Sequence, residues 1–351
     1  MNAIEKICPD TQSVLLIPEN HTRNTFYLQN IATLQDIMHQ AGLNVRIGSL
    51  LPEITTATTL DLPDGQTITL EPLIRKNNVL SVKNFEPCAI ILNNDLSTGI
   101  PDILQDLNQA IIPPLHAGWA TRRKSIHFSA YDQVAQEFAD LIGIDPWLIN
   151  PRFTSCGEIN FREKQGEDCV ASAVNRIIAV IQKKYQEYDV KEDPFVIVKA
   201  DSGTYGMGIM TVKDGDDIYK LNRKQRNKMA VVKEGMQVSN VLVQEGVYTF
   251  ENINHAVAEP VIYMIDRYVV GGFYRVHTGR GIDENLNAPG MHFVPLSFEA
   301  SCLLPKNSAQ THSIPNRFYA YGVVARLALL AAALELEHSP LDTPPAPLSA
   351  G

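Results

Sequence analysis

The chain has 351 residues, 45% hydrophobic and 20% charged, with a formal net charge of −9. That length accommodates two or three domains and that composition a sizeable core, which excludes a mainly disordered, collagen-like or coiled-coil chain. The acidic balance argues against a dedicated nucleic-acid binder, yet a nucleotide needs only a few local cations.

In chain order, residues 1–10 carry acids and a proline and no apolar signal core, which points to the cytoplasm. Residues 13–18 read as an apolar strand ending in the polar loop Glu19 to Asn24. A helix follows, with Leu28, Ile31, Leu34, Ile37 and Met38 at helical spacing and Gly42 as its cap. The next strand is 45–47, and this strand–helix–strand order predicts a parallel sheet. Pro63-Asp64-Gly65 marks a hairpin turn between 58–62 and 67–70. Residues 89–92 form a buried strand before Asn93-Asn94-Asp95, 101–110 a helix, and 129–142 an amphipathic helix.

The character changes near Asn150-Pro151. A helix over 168–186 places Val170, Val174, Ile177, Ile178 and Ile181 on one face, and strands follow at 195–200, 209–213, 241–245, 261–268 and 272–277. The basic stretch 219–233 has no interleaved aromatics to stack bases and reads as a solvated helix face. The apolar stretch 323–336 contains Arg326 and Glu335, is too short to cross a bilayer, and reads as a buried helix. The tail 338–351, with four prolines among small residues, reads as disordered. Cys8, Cys88, Cys156, Cys169 and Cys302 are scattered, so neither a zinc site nor a disulfide framework is indicated. The nine histidines show no metal-ligand spacing.

The segment richest in chemistry is Phe195-Val-Ile-Val-Lys199-Ala-Asp-Ser-Gly203-Thr-Tyr-Gly206-Met-Gly208-Ile-Met. A strand runs into a lysine, then a glycine-rich loop, then a second strand. Glycines let backbone N–H groups turn toward phosphate oxygens, and a lysine supplies a point charge. No helix follows, so this is neither a P-loop nor a dinucleotide fingerprint. It reads as a hairpin tip over a triphosphate, or as a plain glycine-rich turn with a solvated lysine. Downstream, Val241-Leu-Val-Gln244-Glu245-Gly-Val247 is a strand able to border an adenine. Arg275 lies inside an apolar strand, where it needs an anionic partner, either a carboxylate or a phosphate. Asn285-Leu-Asn287 suits a grip on a polar substrate or an ordinary turn.

This order of motifs resembles the ATP-grasp ligases, specifically glutathione synthetase. The wording of 198–210, with Asn316-Arg-Phe-Tyr-Ala-Tyr-Gly-Val-Val-Ala-Arg, is more similar still to the small proteobacterial glutamate–cysteine ligases. The resemblance implies an α/β fold, α+β in the C-terminal half, with an ATP-grasp-like architecture. Residues 1–150 would be a parallel-sheet substrate domain and 151–337 the ATP-binding and catalytic domain. It implies ATP and magnesium as cofactors, glutamate and cysteine as small-molecule substrates, no nucleic acid and no membrane, and leaves a homo-oligomer open.

Carried over residue by residue, Lys199 and Lys124 would contact phosphates, with a surface basic cluster the alternative for Lys124. Gly203, Thr204, Tyr205, Gly206 and Gly208 would form the loop over them, and Gln244, Glu245 and Val247 would border the adenine. Arg275 would touch the transferring phosphoryl group, and Asn285 and Asn287 would lie near the acceptor. His21, Arg23, Asn24 and Arg122 are candidates for holding substrate, or are ordinary loop residues. The late acidic metal pattern of glutathione synthetase is missing here, so Glu259, Asp266 and Glu299 are the nearest candidate ligands. Another carboxylate–amine ligase, or a nucleotide-binding module without catalysis, fits the same residues.

Overall fold

The computed structural model describes residues 2–9, 12–20, 24–203, 208–231, 237–296 and 317–338. Thr204, Tyr205, Gly206, His21, Arg23, Glu299 and the 338–351 tail beyond His338 lie outside the described residues. The chain divides into two compact units, which part between Thr121 and Arg122 rather than near residue 150.

The first unit runs α1 (Asn2–Ile7), β1 (Ser13–Pro18), α2 (Thr25–Gln40), β2 (Asn44–Ser49), β3 (Thr58–Asp61), β4 (Thr67–Pro72), β5 (Ile74–Lys76), β6 (Val79–Ser81), β7 (Ala89–Asn93) and β8 (Ala110–Ile112). Six strands form one sheet in the order β3-β4-β2-β1-β7-β8. All its pairs are parallel except the β3–β4 hairpin. The run of apolar residues in β1 follows from burial on both sides. Val14 and Leu16 pack with Leu28 and Ile31 of α2, while Leu15 and Ile17 meet Leu92 and Leu104 on the other face.

Two expectations fail in this unit. Residues 101–110 do not form a helix: one 3-10 turn at Asp102–Leu104 is followed by the edge strand β8. Gln109, just before β8, is held from outside the segment: its side chain donates to the carbonyls of Leu80 and Pro87 and accepts from the Leu80 amide. Cys8 and Cys88 form a disulfide across 80 residues of sequence. The fold brings the end of α1 beside the start of β7, a proximity that cysteine spacing does not encode.

The second unit runs α3 (Lys124–Ile142), β9 (Phe153–Cys156), α4 (Glu167–Glu187), β10 (Val196–Ala200), β11 (Ile209–Val212), α5 (Asp216–Tyr219), α6 (Arg223–Ala230), β12 (Val241–Glu245), β13 (Asn252–Ile253), β14 (Ala256–Ile265), β15 (Tyr268–His277), β16 (His292–Pro295) and α7 (Arg317–His338). It contains two antiparallel four-stranded sheets, β11-β10-β12-β9 and β13-β14-β15-β16. The α4 stripe Val170, Val174, Ile177 and Ile181 packs on Val196, Val198, Val241 and Val243 of the first sheet. Strand alternation therefore turns Ile197 and Lys199 to the opposite face. In the second sheet Ala258, Val276 and Tyr274 share one packed face with Val294. The register puts Glu259, Arg275, Phe273 and Phe293 on the other.

The basic stretch is only partly a solvated face. Arg226 of α6 is buried and ion-paired with Glu167 of α4, and it also donates to the carbonyls of Leu221 and Tyr219. The α7 helix extends beyond the apolar stretch read from sequence: 19 of its residues, Tyr319–Glu337, are long and apolar enough to cross a membrane by length and composition. One stripe of α7, with Leu327 and Ala331, packs on Tyr131, Val134 and Ala135 of α3, which places α3 in this unit. Other apolar residues of α7, such as Leu330, are exposed.

Candidate active site

The site is built around Lys199 near the end of β10. Its side chain lies on the face turned away from α4, 4.7 Å above the Phe128 ring of α3. Its ammonium donates to Gln244 Oε1 on the neighbouring β12 at 2.5 Å. Among the described residues that neutral amide is its only hydrogen-bond partner. Burial, with a smaller push from Lys124, lowers the Lys199 pKa from the ordinary 10.5 to about 8.

Lys124, in the first turn of α3, also reaches this corner. Its ammonium donates to the carbonyls of Ala200 at 2.8 Å, Gly203 at 2.9 Å and Ser202 at 3.1 Å. With the Asp201 carbonyl at 3.4 Å, four carbonyls surround its three N–H groups, so in this arrangement Lys124 holds backbone. Burial, against the opposing charge of Asp201, lowers its pKa to about 8. The Asp201 carboxylate in turn accepts from the Ser125 amide at 2.7 Å and the Ser125 hydroxyl at 2.8 Å. Arg123, at the cap position of α3, makes no side-chain capping bond, so Asp201 serves the helix end from the sheet.

Gly203 and Gly208 both have φ in the left-handed region, +84° and +62°. They bracket the part of the loop outside the described residues, and glycine is the residue that turns there without a Cβ penalty. Gln244 and Glu245 are buried on β12. Glu245 is occupied structurally: its carboxylate accepts from the Trp147 indole at 2.8 Å and the Arg152 amide at 2.9 Å. Burial raises its pKa, against the pull of those two bonds. Its amide is engaged too, donating to the Arg152 carbonyl at 2.7 Å, whereas Val247 is two-thirds exposed just beyond.

Arg275 on β15 donates to Glu259 Oε1, its cross-strand neighbour on β14, at 2.5 Å. Its Nε is buried without a partner among the described residues. The metal candidates do not converge. Glu259 is paired with Arg275, and exposed Asp266 sits in the β14–β15 turn. Six residues of strand lie between them, a span of roughly 20 Å. Among the described residues no group of three His, Cys, Asp or Glu side chains could hold a metal ion.

Three substrate candidates have partners within the fold. Arg122 forks onto Glu335 of α7 at 2.8 and 2.5 Å, joined by His127 at 3.1 Å. Burial would raise the Glu335 carboxyl, but the Arg122 and His127 bonds outweigh it and hold it at about 2. Asn24 caps α2 by accepting from the Tyr27 amide at 3.1 Å. Asn285 accepts from the Asn287 amide at 3.0 Å within its own turn. Asn285 and Asn287 nevertheless line a cavity of about 680 Å³ with Thr211, Lys220, Lys228 and Arg280.

The sequence reading passed over Phe128, Ser125, Asp201, Trp147 and Arg152. Phe128 had a usable signal, since it lies one helical turn after Lys124. In the first unit, the Tyr27 hydroxyl accepts from the Glu19 amide at 2.7 Å and donates to Asn93 Oδ1 at 2.9 Å. The Glu19 carboxylate accepts from the Asp95 amide at 2.7 Å. This network ties the carboxyl ends of β1 and β7, where parallel sheets bind ligands.

The chain matches the family described as Glutamate-cysteine ligase over residues 1–336. It is 66% identical to a solved structure from Methylobacillus flagellatus KT, provisionally named a gamma-glutamylcysteine synthetase, with a TM-score of 0.86. That match covers 96% of this chain and 79% of the other. D-alanyl-alanine synthetase A from Vibrio cholerae is similar at 11% identity and a TM-score of 0.41, over 90% of this chain and 81% of that one. The D-Ala:D-Ser ligase VanG from Enterococcus faecalis is similar at 11% identity and a TM-score of 0.44, over 92% and 83%. Neither of these two distant similarities bears on function. Among curated proteins no match was found. By its match over residues 1–336 and its identity to the M. flagellatus protein, the chain belongs to the glutamate–cysteine ligase family.

Proposed function

We propose that the chain joins the γ-carboxyl of glutamate to the amine of cysteine at the expense of ATP, using an ATP-grasp-like second unit. The observation that carries the nucleotide part is Lys199, a desolvated cation whose partner is a neutral amide. A phosphate would supply the missing counter-charge. Lys199 then binds phosphate, Gln244 fixes the ammonium, and the β12 backbone with Val247 borders the base. Arg275, with an unpartnered Nε, stabilises charge on the transferring phosphoryl group. A glutamate γ-carboxylate oxygen attacks the terminal phosphorus and ADP leaves. The cysteine nitrogen then attacks the acyl carbon: the C–N bond forms, the C–O bond to phosphate breaks, and the amine gives up a proton. Magnesium follows from the family resemblance, but the described residues do not form a centre for it and none is assigned to hold it. A cytoplasmic protein with small-molecule partners is part of the same reading.

The test is ADP release by the purified protein with ATP and magnesium, with glutamate plus cysteine in one assay and γ-glutamylcysteine plus glycine in another. Turnover in the first, with γ-glutamylcysteine as product, is the expected result. Turnover only in the second makes the protein a glutathione synthetase. Silence in both rejects the ligase reading.

A further inference from the structure

Arg275 does not stand alone on its sheet face. In register, its neighbour on β14 is Glu259 and its neighbour on β16 is Phe293. Phe273, two residues before it on β15, points to the same face. The Phe273 and Phe293 rings meet edge to face with centroids 4.9 Å apart, and Tyr263 approaches Phe273 at 5.7 Å. These rings are not core. Phe293 is 57% exposed and Tyr263 56% exposed, while the packed face of this sheet is the opposite one. The charged pair is therefore flanked by an open aromatic platform. Side chains directly opposite each other in neighbouring strands lie about 5 Å apart at Cβ.

We infer that Phe293 and Phe273 receive the side chain of the acceptor amino acid and make the site selective for a thiol. This rests on the ligase reading, in which Arg275 attends the acyl phosphate. The acceptor nitrogen must come within about 3.5 Å of the acyl carbon. Its Cβ and sulfur are then two and three bonds from that nitrogen, within reach of rings beside Arg275. The adenine of the same ATP is excluded from this spot, because a ribose and three phosphates separate it from the reacting phosphorus. The Phe293 and Phe273 rings offer no hydrogen-bond donor or acceptor, so a hydroxyl placed against them gains no partner beyond water. A thiol is a small, polarisable, weakly bonding group that contacts ring edges favourably.

The experiment compares wild type with Phe293→Ala and Phe273→Leu, using three acceptors: cysteine, 2-aminobutyrate and hydroxylamine. Hydroxylamine has no side chain and traps the acyl phosphate as a hydroxamate. The expected result is a rise of about fivefold to tenfold in the cysteine KM. The preference for cysteine over 2-aminobutyrate shrinks with it. Hydroxamate formation and the KM values for glutamate and ATP stay unchanged. An unchanged cysteine KM in Phe293→Ala overturns the inference. So does a parallel loss of hydroxamate formation, or an effect confined to the ATP KM. Phe293 is more than half exposed, so its truncation leaves the fold intact, and hydroxamate formation reports this directly. Absence of hydroxamate from the wild type would instead remove the ligase reading itself, and this inference with it.

Discussion

Lys199 makes nucleotide binding depend on pH in a direction that can be worked out. In the free protein its pKa is lowered from 10.5 to about 8, chiefly by burial. An anion beside it favours the charged form and restores a higher value. If the bound form stays protonated, affinity for a nucleotide is full below pH 8 and falls above it. From pH 7 to pH 9 the charged fraction of a group titrating near 8 drops about tenfold, and affinity drops with it. Binding at pH 9 then takes up about one proton. The folding sign is opposite. Between about 8 and 10.5 the unfolded chain binds more protons than the folded one, so the stability of the free protein rises with pH across that window, by an amount on the order of 3 kcal/mol. The assay is calorimetric titration with a non-hydrolysable ATP analogue at pH 7, 8 and 9, in buffers of different ionisation enthalpy. Lys199→Arg, charged throughout, should bind with a smaller pH slope. A flat wild-type affinity from pH 7 to 9, or an unchanged slope in Lys199→Arg, would refute the reasoning.

Two further outcomes follow from groups away from the phosphate corner. Glu335→Gln should cost about 3 kcal/mol at pH 7, because it leaves the Arg122 guanidinium without its carboxylate. The depressed Glu335 carboxyl contributes above about 4.5 and its contribution is lost as pH falls toward 2. The gap between the urea midpoints of variant and wild type should therefore shrink by more than half from pH 4.5 to pH 2.5, and an undiminished gap would reject the assignment. Gly246→Ala places a Cβ into the ring of Phe195, a fully buried side chain. Overpacking of this kind costs about 1–3 kcal/mol. A thermal midpoint equal to wild type would show that the ring has room to move.

What the sequence conveys well here is local periodicity. The β1, α2, α4, β10 and β12 elements each carry a stripe or run whose period matches the surface it meets. Lys199 was visible for the same reason, as a charge interrupting an apolar strand. The failures are all long-range. Arg122 looks like any loop arginine until the fold brings Glu335 to it across 213 residues. Glu245 looks like a hinge acid until Trp147 and Arg152 consume its carboxylate. Arg226 sits in a run of cations that reads as solvated, yet one member turns inward to Glu167. Cys8 and Cys88 are scattered in the sequence and neighbours in space. Spacing reports which face a residue occupies and is silent on which distant side chain waits there. That is why Asp266 looked as eligible for a metal as Glu259.

The exchange between α3 and the end of β10 has one more consequence. The amides of Lys124 and Ser125 lie in the first turn of α3, where no helical acceptor exists for them. Their acceptors are the carbonyl and the carboxylate of Asp201. Their protection from hydrogen–deuterium exchange therefore measures whether residues 200–203 are seated, independently of whether α3 itself is folded. Two backbone protons thus form a built-in gauge of the strand that carries Lys199, readable without a ligand, a label or turnover.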